Sequence, residues 1–209
     1  MSSDALNQLL AVLKVQANVF HNGQYCGAWA IDTSGGSLMN FHVVSHGQCV
    51  IEVDGETYNL QAGDAVFLPT DASHRIRDNE NVNTVVNQVA STSMLAQIEE
   101  PATGLVCGHF THEHPVFDRL LAQLPNVIIV KQESHTTCSE IIGLILNESK
   151  SSGQSTNFLL NRLADALFFV LLRDNLNTNS GVLAAVSHPK LSKSIDLIHS
   201  TMDLSLIHI

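Results

Sequence analysis

From Val15 to Gln88 the apolar residues come in brief β-branched and aromatic runs, interrupted by Asn-Gly, Gly-Gly, His-Gly, Asp-Gly and Ala-Gly-Asp. This is the rhythm of antiparallel strands and tight turns, since branched and aromatic side chains suit a pleated surface while glycine and asparagine reach the backbone conformations that reverse a chain. The runs predict strands near Val15–Phe20, Tyr25–Ile31, Leu38–Ser45, Cys49–Val53, Glu56–Leu60, Ala65–Leu68, His74–Ile76 and Val82–Val89. Val53-Asp54-Gly55-Glu56 is the clearest hairpin. About eight short strands joined by short turns predict a closed or nearly closed barrel, one of the few ways an all-β domain protects its edges.

Helical spacing frames this β region. Leu6, Leu9, Leu10 and Leu13 repeat on one face and predict a short N-terminal amphipathic helix. Residues 91–104 read as a surface connection and Leu105–Phe110 as a last strand, followed by a short helix from Pro115 to Leu124 and an unassigned apolar Val127–Val130. A Thr137-x-x-Glu140 capping box starts a helix running to about Lys150, and Ser-Ser-Gly-Gln-Ser makes the turn into another over Asn157–Asn175. That second helix carries apolar residues around most of its circumference, which predicts burial on several sides or a symmetric dimer contact. Ser187-His188-Pro189 starts a further helix to about His199.

Charge narrows the partners. The first hundred residues carry three basic and eleven acidic side chains, within a net charge of -10, whereas a nucleic-acid surface needs clustered Lys and Arg. DNA contact by these residues alone is therefore not expected. The apolar residues are dispersed, with no run long enough to span a bilayer and no signal-peptide start, so a cytoplasmic location and no membrane partner are expected. Cys26, Cys49, Cys107 and Cys138 stand singly, without the spacing of a zinc ribbon or a disulfide framework.

Gly63-Asp-Ala-Val-Phe-Leu-Pro69-Thr-Asp-Ala-Ser-His74 resembles the second cupin motif, in which a glycine turn launches a strand, proline follows it and histidine points into the barrel. Phe41-His42-Val-Val-Ser-His46-Gly47 is similar to the matching stretch of the ligand-binding cupins of AraC-type transcription regulators. The Leu-Val-Cys107-Gly-His-Phe strand, the Leu-x-x-Leu-Pro125 segment, the two helices and His188-Pro189-x-Leu191 follow in the order of that family. The resemblance implies a mainly β fold with α, a cupin (double-stranded β-helix) barrel followed by an α-helical dimerisation segment. Its divisions would be an N-terminal helix over 1–14, the barrel over 15–112, the dimerisation segment over 113–187 and a linker helix over 188–203. It also implies a small-molecule effector, a homodimer through the C-terminal helices, and DNA contact only through a helix-turn-helix domain beyond this chain. Residues 204–209 match a translated sequencing-library adapter and are read as adapter-derived.

Against that pattern, catalytic metal chemistry is poorly supported. A metal cupin brings about three or four ligands together, usually as His-x-His, a glutamate and a later histidine. Here the His-x-His is absent, Asn40 stands at the glutamate position and only His74 falls in register, so no catalytic residue, metal or cofactor is expected. His42 and His74 are read as lining a small-molecule cavity or satisfying hydrogen bonds inside the barrel, with Trp29 as a pocket floor or as core. His46 belongs to a turn, and His109-x-x-His112-x-His114 reads as a strand end and a solvated loop containing two of the three histidines rather than a zinc site. Cys26 and Cys107 stand where related regulators often keep cysteine and make a candidate redox pair. The plainer alternative is that both are small buried hydrophobes. A stand-alone metal-dependent cupin enzyme using His42 and His74, and a non-catalytic binding module unrelated to transcription, remain alternatives.

Overall fold

The computed structural model describes residues 14–79, 90–99, 101–113, 116–153 and 155–176. The helices expected at Leu6–Leu13 and Pro189–His199, the strand expected at Val82–Val89, His114 and residues 204–209 lie outside them. Ten strands are described: β1 (Val15–Cys26), β2 (Ala30–Ile31), β3 (Met39–His46), β4 (Gln48–Val53), β5 (Glu56–Gln61), β6 (Ala65–Leu68), β7 (His74–Arg77), β8 (Thr92–Ser93), β9 (Ala102–His112) and β10 (Ile128–Val130). Three α-helices are described with them: α1 (Val116–Leu121), α2 (Thr137–Ser149) and α3 (Thr156–Asn175). The fold is mainly β with helices, as the sequence predicts.

The chain divides into two units. In the larger, residues 15–111 and 125–171, one sheet runs β10-β6-β3-β9-β1-β8 and the other β2-β7-β4-β5. Their inner faces share one apolar core, with Trp29, Val44, Val66, Leu68 and Leu105 meeting Ile51, Val53, Leu60 and Ile76. The β4–β5 hairpin turns through Asp54 and Gly55, both at positive φ (50° and 88°), as a two-residue turn with primed geometry requires.

The outer face of the six-stranded sheet is aromatic. Alternation along β3, β6 and β9 turns Phe41, Phe67 and Phe110 outward, and α3 covers them with Phe168, whose ring lies 4.8 Å from Phe110 and 5.7 Å from Phe67. The helix also satisfies β1: the Ala17 and Val19 amides donate to the side chains of Asp165 (2.6 Å) and Asn161 (2.8 Å). Within this unit Leu160, Ala164, Leu167, Phe168 and Leu171 form one buried stripe, while Phe158 and Leu159 are exposed. Burial on several sides is thus not what α3 shows here.

The smaller unit includes residues 112–124 and 172–209. In it Phe117, Leu120, Leu121 and Leu124 are buried along and just past α1. His112 packs on the Phe117 ring at 4.7 Å and meets the Asp118 carboxylate at 3.1 Å.

Three local expectations change. Val15–Phe20 and Tyr25–Cys26 belong to one strand, β1, and Asn22-Gly23 runs through it without turning. Gly23 is there for close approach, since a Cβ on it would lie 2.6 Å from the Thr92 carbonyl oxygen of β8. The 91–104 connection contains β8, and β9 starts early, at Ala102. The α2 cap is Thr136 rather than Thr137, its hydroxyl accepting from the Ser139 amide at 3.3 Å. The unassigned Val127–Val130 supplies β10, which pairs with β6.

Candidate functional site in the barrel interior

Strand alternation fixes which side chains enter the barrel. On β3 the positions of Asn40, His42 and Val44 share the inner face, and on β9 those of Leu105, Cys107 and His109 do. The register sets Asn40 opposite His109 and His42 opposite Cys107. The Val44/His46 bulge ends this alternation, leaving His46 half-buried at the rim with its Nε2 donating to the Gln24 side-chain oxygen at 3.0 Å.

His74 opens β7 on the opposite sheet and brings its ring to His42, Nε2 to Nε2 at 3.3 Å. The hydroxyl of Thr33, from the loop joining β2 to β3, completes a triangle with them, at 2.7 Å from His74 Nε2 and 3.3 Å from His42 Nε2. The proton positions follow from one fixed contact. His74 Nδ1 lies 2.8 Å from the Ala72 carbonyl, which only accepts, so Nδ1 carries the proton and a neutral His74 presents a lone pair at Nε2. Thr33 then donates to His74, and His42 Nε2–H donates toward Thr33. The other tautomer of His42 would set two lone pairs against each other with one hydroxyl proton to share. His42 Nδ1 is left as a bare acceptor, buried and without a partner.

Electrostatics disfavour a charge on His42 and His21. Burial, then the neighbouring His74 and His21, hold the His42 pKa well below its ordinary value. His21 is also lowered, chiefly by burial, and its Nε2 is a second buried atom without a partner. His21 stacks on Tyr25 at 4.8 Å and Tyr25 on Trp29 at 4.9 Å, so Trp29, fully buried, ends an aromatic column that starts beside the histidines.

The cysteines do not behave as a pair. Cys107 is fully buried, and desolvation followed by the nearby Cys49 pushes its thiol far up; Cys49 is pushed up to about 12, chiefly by burial. Tyr25, not Cys26, shares the interior cluster with Cys107. Cys26 is half-buried, and all four cysteines are free thiols. Metal ligation is limited too: among the described residues no group of three or more His, Cys, Asp or Glu is placed to hold an ion, and His42 and His74 offer two imidazoles and a hydroxyl. His109 stacks on Phe20 at 5.8 Å, with its pKa lowered by burial.

His42 and His74 meet at their Nε2 atoms and Trp29 lies in the apolar core cluster, while Thr33, His21 and Tyr25 were not anticipated. Thr33 lies in Asp-Thr-Ser-Gly-Gly, whose composition signals only a loop, and His21 and Tyr25 were hidden by reading Asn22-Gly23 as a turn.

A family profile described as Cupin matches residues 4–177, which include both sheets and the histidines of β3 and β7. The chain belongs to the cupin family. Its relatives include transcription regulators, one of them AraC-like. It is 23% identical to the RCS-specific HTH-type transcriptional activator RclR of Escherichia coli over 92% of this chain and 64% of that protein. It is 24% identical to an AraC-like transcription regulator of Streptomyces lividans, over 94% and 68%. Among solved structures, that of the AraC-like transcriptional activator CuxR aligns with a TM-score of 0.42 at 10% identity, covering 95% of this cupin and 68% of CuxR. The chain therefore spans about two thirds of the length of the regulators it resembles. No described helix is long and apolar enough to cross a membrane.

Proposed function

We propose that this cupin is the signal-receiving part of an AraC-family transcription regulator, and that the signal is a small molecule bound at the histidine-lined end of the barrel, beside His42, His74 and Trp29. The observation that carries the reading is the unpartnered Nδ1 of His42. A buried acceptor with no donor costs about 1–3 kcal/mol, and a site that receives a ligand gives that cost a purpose. The names of the relatives, transcription regulators and not enzymes, favour a receptor over an enzyme.

A redox signal is the second reading, as RclR is named RCS-specific. Burial that keeps the Cys107 thiol protonated weighs against it, because oxidants attack accessible thiolates. The helical segment over 113–187 would join two copies; the exposed Phe158 and Leu159 on α3 and Leu144 on α2 are the apolar side chains available for such a contact. DNA would be read by a helix-turn-helix domain outside this chain. The ligand would act by preferring one arrangement of barrel and helices, which requires different affinities for the two.

Trp29 is the single tryptophan and reports the experiment. A small-molecule panel titrated against the protein should include compounds that shift Trp29 emission saturably, and His42→Leu should weaken that response at least tenfold. Stoichiometric transition metal retained through dialysis, with turnover of a bound compound, would replace the receptor reading with an enzyme.

A further inference from the structure

We infer that the group received between His42 and His74 is a neutral alcohol-type hydroxyl, which takes the place now held by the Thr33 hydroxyl and so frees the Asp32–Leu38 loop from its latch on Asp71. The inference rests on the receptor reading above and adds the class of ligand and what it displaces.

The hydrogen-bond polarity selects the class. With its Nδ1 proton on the Ala72 carbonyl, a neutral His74 turns a lone pair toward His42 Nε2, 3.3 Å away. A guest atom set against both nitrogens, as the Thr33 oxygen is, therefore donates to His74 and accepts from His42. A hydroxyl does both through one oxygen, as Thr33 does at 2.7 and 3.3 Å. A carboxylate or phosphate oxygen only accepts and would oppose the His74 lone pair. An ammonium only donates and would oppose the His42 proton. Desolvation of His42 adds to the preference for an uncharged guest, because charging that imidazole to match an anion means charging a buried ring.

The loop is built to release. Thr33 comes from a connection whose tip, Gly35 to Ser37, is exposed, so lifting it opens no part of the core. One side chain fastens that tip: the Asp71 carboxylate accepts from the Ser37 amide at 2.6 Å, from the Gly35 amide at 3.1 and 3.2 Å, and from Asn40 Nδ2 at 3.1 Å. Ser37 and Asp71 both adopt left-handed backbone, φ 54° and 51°, unfavourable for L-residues unless contacts compensate it. Asp71 stands three residues before His74, so one short segment carries both the latch and a receiving imidazole.

The test uses histidine-labelled protein of the full chain, reading the imidazole nitrogens by NMR with methanol and formate as probes. Thr33→Ala removes a volume close to that of methanol. In this variant His74 Nε2 should lose its hydrogen-bonded shift, methanol should restore it saturably, and formate should not. Asp71→Asn, which leaves Thr33 in place, should speed hydrogen exchange at the Gly35 and Ser37 amides at least tenfold and let methanol perturb His74 at lower concentration than in the parent. Saturable binding of formate in preference to methanol would overturn the hydroxyl class while leaving the barrel a receptor. Unchanged exchange in Asp71→Asn would overturn the latch. No saturable shift with either probe in either variant would sink the receptor reading as well.

Discussion

The two faces of β3 and β9 follow opposite rules. Outward, Phe41 and Phe110 meet Phe67 and Phe168 in an aromatic layer in which every ring is buried. Inward, the same strands present His42 and Cys107 to a corner where polar atoms are buried and partly unpaired and a charge on His42 is disfavoured. Residues one step apart thus enter a stabilising aromatic layer on one side and a polar, partly unpaired corner on the other. The difference teaches that this cupin draws stability from the helix-covered face and accepts a deficit inside.

The largest effect expected from that division is on the aromatic face. Phe168→Ala removes the ring that bridges Phe67 and Phe110 and should cost about 3–5 kcal/mol, read as a lowered denaturation midpoint. Acid should strike the other face. The folded pKa of His42 is depressed, so the stability it carries is present above its unfolded value of about 6.5 and is lost as pH falls from there toward the folded value. The slope approaches about 1.4 kcal/mol per pH unit in that window, measurable by urea unfolding across pH. Asp165→Ala, which leaves the Ala17 amide without its acceptor, should cost about 1–2 kcal/mol and speed exchange of that amide. Smallest of all, His42→Leu should alter stability at pH 7 by less than about 1 kcal/mol, because it removes an unpaired acceptor along with its hydrogen bond, and should flatten the acid slope. A loss in His42→Leu as large as that in Phe168→Ala would erase the contrast between the faces.

How much of this was legible in the sequence depends on whether a signal is local. Ala65–Leu68 begins and ends where its apolar run does, and Asp54-Gly55 turns because those residue types tolerate positive φ. His42 and His74 were visible through motifs whose turn chemistry sets their direction. Asn22-Gly23 misled because glycine serves two purposes, reversal and close approach, and only the partner strand β8 decides between them. Thr33 was invisible for a related reason: its role is assigned by two imidazoles nine and forty-one positions away, and nothing in a Thr-Ser-Gly-Gly stretch records them. The pairing of Cys26 with Cys107 was suggested by position alone, and the structure puts Tyr25 into that interior instead.

β1 runs unbroken for twelve residues, a rod of about 40 Å at a strand's rise per residue. One end carries His21 and Tyr25 beside the receiving corner, and the other hangs by the Ala17 and Val19 amides from α3. On the receptor reading, a guest that moved the His21 ring would push on a stiff strand whose far arm is held by the helix. Had Asn22-Gly23 been a hinge, that push would have been spent bending the chain before it reached α3.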